Sequence, residues 1–515
     1  MLQIRNLSMI HKKDLHTMVT DFSLTLNEGD KAVIIGEEGN GKSTLLKWIY
    51  DPKLVEEYAQ VSGERYVSGE RLGYLPQELP EEEKERTLYE FFSRESRFWD
   101  CSPGELGRMA GWLGISPEFF YGEQRLGTLS GGEKVKAQLA RLLISQPTVL
   151  LLDEPSNDLD IETLQWLERL LIQFPHMVLF ISHDETLIER TANVVIHLEQ
   201  LRRKTVSRCS VAKMDYRRYL EERRAVFQNQ EQQAQTEQRQ ERIRQEKFRK
   251  IQQKVEQDLR AVSRQDPHGG YLLKKKMKAV KSLERRYERE AGERTQRPEE
   301  ESSLLVKFDE KISLPQSKVI LDFHLEQLTA PGEGRLLAEH IDLKVRGPEK
   351  ICIIGKNGAG KTTLFRKIAE ELLERKDIKA AYMPQNYQEL LELEQTPLEY
   401  LTVTGDKEEQ TRIRTYLGSM KYTADEMSHP VRELSGGQKA KILLLKMSMS
   451  GADVLLLDEP TRNFSPLSNP VIRQVLSDYK GAIISISHDR KYIGQVCSRV
   501  YRLTKDGLIQ EETEF

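Results

Sequence analysis

Two segments of the chain follow the pattern G-x-x-x-x-G-K-[ST], at residues 36–43 and 355–362. Glycines in such a loop let backbone N–H groups wrap around phosphates, and the N-terminus of the next helix adds a positive dipole end. The lysine reaches the β- and γ-phosphates, while the serine or threonine hydroxyl ligates Mg²⁺. An apolar run precedes the first segment and a helical run follows it, so the sequence predicts nucleotide binding. The candidate residues are Gly36, Gly39, Gly41, Lys42, Ser43 and Thr44, and in the second segment Gly355, Gly358, Gly360, Lys361, Thr362 and Thr363.

A Leu-Ser-Gly-Gly motif, at residues 129–132 and again at 434–437, adds a second kind of anion-binding element. The serine is a suitable N-cap for the helical run that follows it. With the two glycines at the helix start, it forms a nest of backbone N–H groups that can hold an anion. The phosphate-binding candidates in these motifs are Ser130, Gly132, Ser435 and Gly437.

Two runs of consecutive aliphatic residues end in an Asp-Glu pair. Such a pair can simply be the exposed end of a surface strand. Four aliphatic residues in a row indicate instead a buried strand, whose carboxylates lie at the C-terminal edge of a sheet, where ligands bind. We expect Asp153 and Asp458 to hold Mg²⁺, and Glu154 and Glu459 to orient and polarise the attacking water.

Four single residues can be assigned a function only because of their position relative to these motifs. Gln77 and Gln385 each follow a short predicted strand. A single glutamine at such a position is usually an exposed residue without a functional role. Between the phosphate loop and the later motifs, each becomes a candidate ligand of Mg²⁺ and water. His183 and His488 follow a further buried strand and are candidate sensors of the γ-phosphate.

Three of the motifs recur at one constant spacing along the chain. Ser130 corresponds to Ser435, Glu154 to Glu459 and His183 to His488, each pair separated by 305 residues. One spacing kept by three motifs indicates an internal duplication.

A basic stretch separates the two copies. Residues 213–297 contain 24 Lys and Arg against 14 Asp and Glu, whereas the whole chain has a net charge of -3. A run from 215 to 262 lacks Gly and Pro and predicts one long helix, a turn signal follows at 266–270, and a second helical run begins at Tyr271. This stretch is either a solvated coiled-coil spacer or a rod that carries a basic tip to nucleic acid. The candidate RNA-binding residues are Arg264, His268, Tyr271, Lys274, Lys275, Lys276 and Lys278. The alternative for the tip is that His268 and Tyr271 pack within the hairpin.

Composition excludes several other classes of protein. The hydrophobic fraction is 38%, and no apolar run approaches the ~20 residues that span a bilayer. Four cysteines lack C-x-x-C spacing, which disfavours a disulfide scaffold or a zinc site. The N-terminus lacks a signal-peptide pattern. We therefore expect a cytoplasmic protein without a membrane partner.

The quoted motifs resemble Walker A, Q-loop, signature, Walker B, D-loop and H-loop of the ATP-binding cassette ATPases, twice over. Two cassettes joined by a charged helical linker resemble the ABC-F class. The resemblance implies an α/β fold, with two P-loop cassettes joined by a long antiparallel helical hairpin. The predicted domains are a first nucleotide-binding domain at 1–207, a linker at 208–300 with its tip near 263–273, and a second nucleotide-binding domain at 301–515.

The resemblance also implies a mechanism and partners. The cassettes of a monomer would pair head to tail, with the first P-loop facing Ser435 and the second facing Ser130. ATP with Mg²⁺ would join them, and hydrolysis would release them. The expected partner is the ribosome, through large-subunit rRNA and P-site tRNA, with the linker reaching the peptidyl-transferase centre through the E site.

Two details favour the antibiotic-resistance members of that class. The intervals between Gln77 and Leu129 and between Gln385 and Leu434 lack an additional helical arm. Ser465 stands where the first copy has Asp160 in the D-loop. The alternatives are a housekeeping ABC-F translation factor, a transport ATPase docked on membrane subunits, and a DNA-repair ATPase of the coiled-coil type. His11 is the candidate for stacking on adenine in the first cassette, and the second has no assigned counterpart.

Overall fold

The computed structural model describes residues 1–201, 205–261, 271–272, 275–282, 308, 312–332 and 334–511. The chain forms two compact units. The first contains Met1–Tyr216 and Glu301–Phe515 and therefore both cassettes, and the second contains Arg217–Glu300.

The first cassette is built on two sheets. Its strands are β1 (Leu2–His11), β2 (Thr17–Leu26), β3 (Lys31–Ile35), β4 (Ala59–Tyr66), β5 (Leu72–Leu75), β6 (Val149–Asp153), β7 (Met177–Ile181), β8 (Val194–Leu201) and β9 (Val206–Ala212). Six of them form a sheet in the order β5-β6-β7-β3-β8-β9, parallel except for β9. An antiparallel sheet, β2-β1-β4, accompanies it.

The helices of this cassette are α1 (Lys42–Tyr50), α2 (Glu81–Lys84), α3 (Leu88–Ser93), α4 (Pro103–Leu113), α5 (Gly131–Ile144), α6 (Ile161–Gln173) and α7 (Glu185–Thr191). Every residue of β3, β6 and β7 is buried. Such continuous apolar burial is typical of parallel strands covered on both faces. It confirms that the aliphatic run before Asp153 is a central strand.

The second cassette repeats the arrangement. Its strands are β10 (Val319–Thr329), β11 (Leu336–Arg346), β12 (Lys350–Ile354), β13 (Ala380–Met383), β14 (Val454–Asp458), β15 (Ala482–Ile486), β16 (Arg499–Thr504) and β17 (Gly507–Glu511). Six form a sheet in the order β13-β14-β15-β12-β16-β17, and β10 and β11 form an antiparallel pair. The predicted α/β fold with two P-loop cassettes is confirmed.

The linker contributes α8 (Tyr216–Ala261), a helix of 46 residues, and a shorter helix, α9, over residues 275–282. At 1.5 Å rise per residue, α8 is about 70 Å long. In the second cassette follow α10 (Lys361–Glu374), α11 (Pro397–Leu401), α12 (Lys407–Ser419), α13 (Ala424–Ser428), α14 (Gly436–Ser450), α15 (Asn469–Asp478) and α16 (Arg490–Val496). Within the described ranges, no helix combines the length and the apolar character needed to cross a membrane.

Candidate functional site

Each phosphate loop connects a buried strand to a helix. Gly41 and Gly360 precede α1 and α10 with φ of 83° and 96°, in the left-handed region that glycine adopts without strain. Lys42 Nζ donates to the carbonyls of Gly36 at 2.8 Å and Glu37 at 3.0 Å. Lys361 Nζ makes the equivalent bonds at the same distances, so the predicted loop geometry is present twice.

The strands β6 and β14 place an aspartate beside each phosphate loop. Ser43 Oγ donates to Asp153 Oδ1 at 2.9 Å, which brings together two of the predicted Mg²⁺ ligands. Burial raises the pKa of Asp153 and that of Asp458 to about 6. Asp458 Oδ2 is buried and lacks a hydrogen-bond partner among the described residues. Buried carboxylate oxygens of this kind are suitable ligands for a hard cation such as Mg²⁺.

The glutamates after these aspartates share an unusual backbone conformation. Glu154 has φ of 51° and Glu459 has φ of 54°. Left-handed conformations of residues other than glycine are uncommon and cluster at functional positions. The Glu154 N–H donates to the carbonyl of Ile181, and that of Glu459 to the carbonyl of Ile486, which stabilises the turn.

The two glutamates differ in their ionisation. His183 Nε2 lies 3.1 Å from Glu154 Oε1, whereas His488 Nε2 lies 3.7 Å from Glu459 Oε1. Burial raises the pKa of Glu154, but the interactions with His183 and Lys42 outweigh burial and set the pKa below its usual value. Burial, with the neighbouring Asp458 carboxylate, raises the pKa of Glu459. Burial and the charge of Lys361 lower the pKa of His488 to about 3.

The Leu-Ser-Gly-Gly motifs begin helices as predicted. Ser130 and Ser435 are the N-caps of α5 and α14, and each accepts from the backbone N–H three residues later at 3.3 Å. A Cβ atom added to Gly437 would lie 2.6 Å from the carbonyl oxygen of Asn463. Glycine is therefore needed for the loop after β14 to lie against this helix start.

We call the site on the loop 355–362 the second site. It is a cavity of about 470 Å³ lined by Gly131 and Asp158 of the first cassette together with Lys361, Thr362, Glu459 and His488 of the second. The Asn357 N–H donates to Asp160 Oδ2 at 3.2 Å, and Gln385 Nε2 donates to Asp158 Oδ1 at 3.4 Å. The first cassette therefore completes the second site, as the head-to-tail prediction requires.

The first site, on the loop 36–43, has a different contact with the opposite cassette. Its cavity measures about 220 Å³ and is lined by Lys42, Ser43, Gln77, Glu154 and His183 with Arg462 and Asn463 of the second cassette. The Gly437 N–H donates to Glu38 Oε2 at 2.5 Å, so a P-loop carboxylate occupies the predicted anion nest. Glu38 is not among the residues predicted from the sequence. The signal was available, because the second loop has Asn357 at the equivalent position.

The two D-loops also differ in their contact with the opposite cassette. Asp160 reaches the opposite P-loop, whereas the buried hydroxyl of Ser465 pairs with that of Ser468, 3.0 Å away in its own loop. His11, the candidate for adenine stacking, has Nδ1 2.7 Å from Asp14 Oδ1.

The predicted RNA-binding residues are described only in part. Tyr271, Lys275, Lys276 and Lys278 are exposed. Arg264, His268 and Lys274 lie outside the described residues.

Comparison with known proteins agrees with this geometry. The family model described as "ABC transporter" matches residues 19–157 and 338–462, more than half of the chain. The chain belongs to the ABC transporter family. In this family the matched domain is an ATPase, so the protein binds nucleotide and hydrolyses ATP.

Relatives of this ABC protein extend across both cassettes and the linker. "ABC transporter F family member 5" of Arabidopsis thaliana is 26% identical over 96% of this chain and 74% of the relative. "Putative ATP-binding protein YdiF" of Bacillus subtilis is 28% identical over 98% of this chain and 80% of the relative. Among solved structures, a complex of the archaeal ribosomal stalk protein aP1 and the ribosome recycling factor aABCE1 matches with TM-score 0.58 and 17% identity. That match covers 98% of this chain and 90% of the other, and it shows a common fold.

Proposed function

We propose that this protein is an ABC-F ATPase that binds the ribosome and protects it from antibiotics acting at the peptidyl-transferase centre. The observation that carries the proposal is that two nucleotide sites lie in one compact unit whose sequence is interrupted by a linker. The linker contains the 46-residue helix α8 and the exposed lysines of α9. Relatives named as F family members support the class. The likeness to a ribosome recycling factor supports the partner.

The two sites would share one chemistry. Glu154 and Glu459 would orient and polarise the attacking water, while His183 and His488 would contact the γ-phosphate. At each site the loop glycines and the loop lysine, Lys42 or Lys361, would bind the phosphates from one side. The helix starts at Gly132 and Gly437 would bind them from the opposite cassette.

Mg²⁺ would complete each site by neutralising charge on the β- and γ-phosphates. The residues that would hold it are Ser43, Gln77 and Asp153 at the first site and Thr362, Gln385 and Asp458 at the second.

ATP binding would close the cassettes and let the protein enter the ribosomal E site, and hydrolysis would let it leave. The linker would then contact large-subunit rRNA and P-site tRNA. Lys275, Lys276 and Lys278 would meet phosphates, since A-form RNA presents its backbone to basic side chains.

Ribosome sedimentation with ATP tests this proposal. A Glu154→Gln, Glu459→Gln variant should co-sediment with ribosomes, because it binds ATP and stays closed. The same variant with Lys275, Lys276 and Lys278 replaced by Gln should bind more weakly and with a shallower salt dependence. A double variant that stays free of ribosomes would contradict the proposed partner.

A housekeeping ABC-F factor acting on stalled ribosomes is the alternative, and it would use the same chemistry. Ser465 in place of the usual D-loop aspartate favours the resistance function. Drug susceptibility of cells expressing the parent protein separates the two functions. Replacing residues 268–272 with a Gly-Ser turn should abolish protection while leaving ATPase activity intact.

A further inference from the structure

Four charged side chains are buried where the two cassettes meet, at 3–6% exposure. They are Glu168 and Glu185 of the first cassette and Arg473 and Arg490 of the second. Arg473 binds Glu185 through two hydrogen bonds, Nη1 to Oε1 at 2.6 Å and Nη2 to Oε2 at 3.2 Å. Arg490 Nη2 donates to Glu168 Oε1. Both acids therefore come from one cassette and both bases from the other.

These residues occupy equivalent positions in the duplication. Glu168 and Arg473 are 305 residues apart, as are Glu185 and Arg490. The same spacing relates the Leu-Ser-Gly-Gly motifs, the Asp-Glu pairs and the two histidines. The fold agrees, because Glu168 lies in α6 and Arg473 in its counterpart α15. Glu185 and Arg490 are the first residues of α7 and α16. Each acidic position of the first cassette is thus a basic position of the second.

Of the four neighbouring charges, two follow this division between the cassettes and two do not. Lys491 Nζ of the second cassette lies 3.1 Å from Glu185 Oε2, and Asp184 Oδ1 of the first lies 3.7 Å from Arg490 Nη2. Arg190 Nη1 lies 2.9 Å from Glu168 Oε2, but its own side chain is 55% exposed. Asp489 Oδ2 lies 3.8 Å from Arg473 Nη1 and is on the same cassette.

Across the interface, Glu168 of α6 meets Arg490 of α16, and Arg473 of α15 meets Glu185 of α7. The position in α6 or α15 of one cassette therefore contacts the first position of α7 or α16 in the other. Two first cassettes joined in this way would bring four carboxylates together beside only the half-exposed Arg190 of each copy, and two second cassettes would bring four guanidinium groups together beside Asp489 of each copy. Buried charges without opposite partners are strongly unfavourable. Specificity of this kind comes from repulsion in the wrong pair as well as attraction in the right one.

We propose that this exchange of charge is a pairing code. It makes the first cassette accept only a surface that carries two arginines at the positions of Arg473 and Arg490, and it rejects a second copy of itself. The code would make the two duplicated ATPase surfaces pair with each other rather than with the same cassette of a second chain.

Charge reversal in the full-length chain tests the code. The variant Glu168→Arg, Glu185→Arg has four arginines at the interface, and the variant Arg473→Glu, Arg490→Glu has four glutamates. Each should lose at least tenfold in ATPase activity. The four-substitution variant exchanges these charges between the cassettes but leaves Lys491, Asp184, Arg190 and Asp489 each beside a like charge. Its activity should therefore rise several-fold above that of both doubles without reaching that of the parent. A four-substitution variant as inactive as the two doubles would overturn the proposal, as would a double variant with parental activity.

Mixing the two double variants gives a second measurement that does not depend on either being active alone. An all-arginine chain can pair only with an all-glutamate chain, so the mixture should form a 1:1 complex by analytical ultracentrifugation and regain ATPase activity. Each double variant alone should form no such complex. If the mixture sediments as two separate monomers without activity, these four residues do not decide pairing.

Discussion

The Asn357 backbone N–H donates to Asp160 Oδ2 at 3.2 Å, which ties the D-loop of the first cassette to the P-loop of the second. The other oxygen of Asp160 accepts from the Thr163 N–H at 2.9 Å and caps α6. One carboxylate thus fixes a helix start and a nucleotide loop of the opposite cassette. At the first site the corresponding residue, Ser465, pairs within its own loop.

Asp160→Ala should lower ATPase activity by roughly tenfold, because a hydrogen bond to a charged group contributes about 1.5–3 kcal/mol. Steady-state phosphate release measures the effect. Asp160→Asn is the matched control, since Asn caps helices as well as Asp does. The Asn variant should keep the parental thermal stability while losing part of the activity. Parental activity of the Ala variant would show that the contact with Asn357 is not needed for hydrolysis.

Glu154→Gln with Glu459→Gln should reduce kcat by about 10²–10⁴, the range for loss of a group that activates the attacking nucleophile. Binding of ATP should persist, since the P-loop lysines and helix starts are unchanged. Fluorescent-nucleotide binding beside single-turnover hydrolysis distinguishes the two effects. Turnover close to the parental rate would contradict the assignment of both glutamates.

Glu38→Asn should raise the affinity of the first site for ATP relative to ADP by about tenfold. The Glu38 carboxylate accepts from the Gly437 N–H, which we assign to the phosphates of ATP. Two like charges about 4 Å apart repel by about 1–4 kcal/mol. Asn is the residue of the second loop at this position.

Competition between fluorescent ATP and ADP analogues measures this ratio, with the second site blocked by Lys361→Ala. The reciprocal variant, Asn357→Glu with Lys42→Ala, should lower the ATP/ADP affinity ratio at the second site. An unchanged ratio in both variants would show that the carboxylate does not compete with nucleotide.

Glu409 links the stability of the second cassette to acidic pH. Its carboxylate accepts from the Thr404 hydroxyl at 2.7 Å and from the backbone N–H groups of Val403, Thr404 and Gly405 at 2.9–3.1 Å. The Thr404 hydroxyl, and then the backbone N–H groups, lower the pKa of Glu409 to about 2. The folded pKa lies below the ordinary value of about 4.3, so this stabilisation is present above that value and is lost as pH falls toward 2.

Glu409→Gln removes the charge that these donors stabilise. The Tm of the parent should exceed that of the variant at pH 7, and the difference should shrink as the pH is lowered below about 4.5. Thermal melts between pH 7 and pH 3.5 measure it. Glu399→Gln is the control, because Glu399 is likewise the third residue of its helix but accepts fewer backbone hydrogen bonds. A Tm difference that does not change with pH would contradict this link.

The local sequence determined the strands, the loops and the motif residues. Four aliphatic residues before Asp153 and Asp458 specify a strand buried on both faces, and Gly41 and Gly360 specify a turn into a helix. Ser130 and Ser435 specify helix starts. These features depend on backbone conformation and on burial of near neighbours, which a short run of residue types encodes. The spacing of 305 residues indicated an internal duplication and therefore predicted two nucleotide sites.

Only the tertiary structure decided which residues meet across the two cassettes. Glu38 and Gly437 are 399 residues apart, and Glu185 and Arg473 are 288 apart. The two Asp-Glu pairs look alike in sequence, yet the pKa values of their glutamates are shifted in opposite directions. Burial and the neighbouring Asp458 carboxylate raise the pKa of Glu459, whereas the interactions with His183 and Lys42 outweigh burial at Glu154. Contacts and electrostatic interactions of this kind depend on how two whole domains pack. No local pattern of residue types fixes that packing.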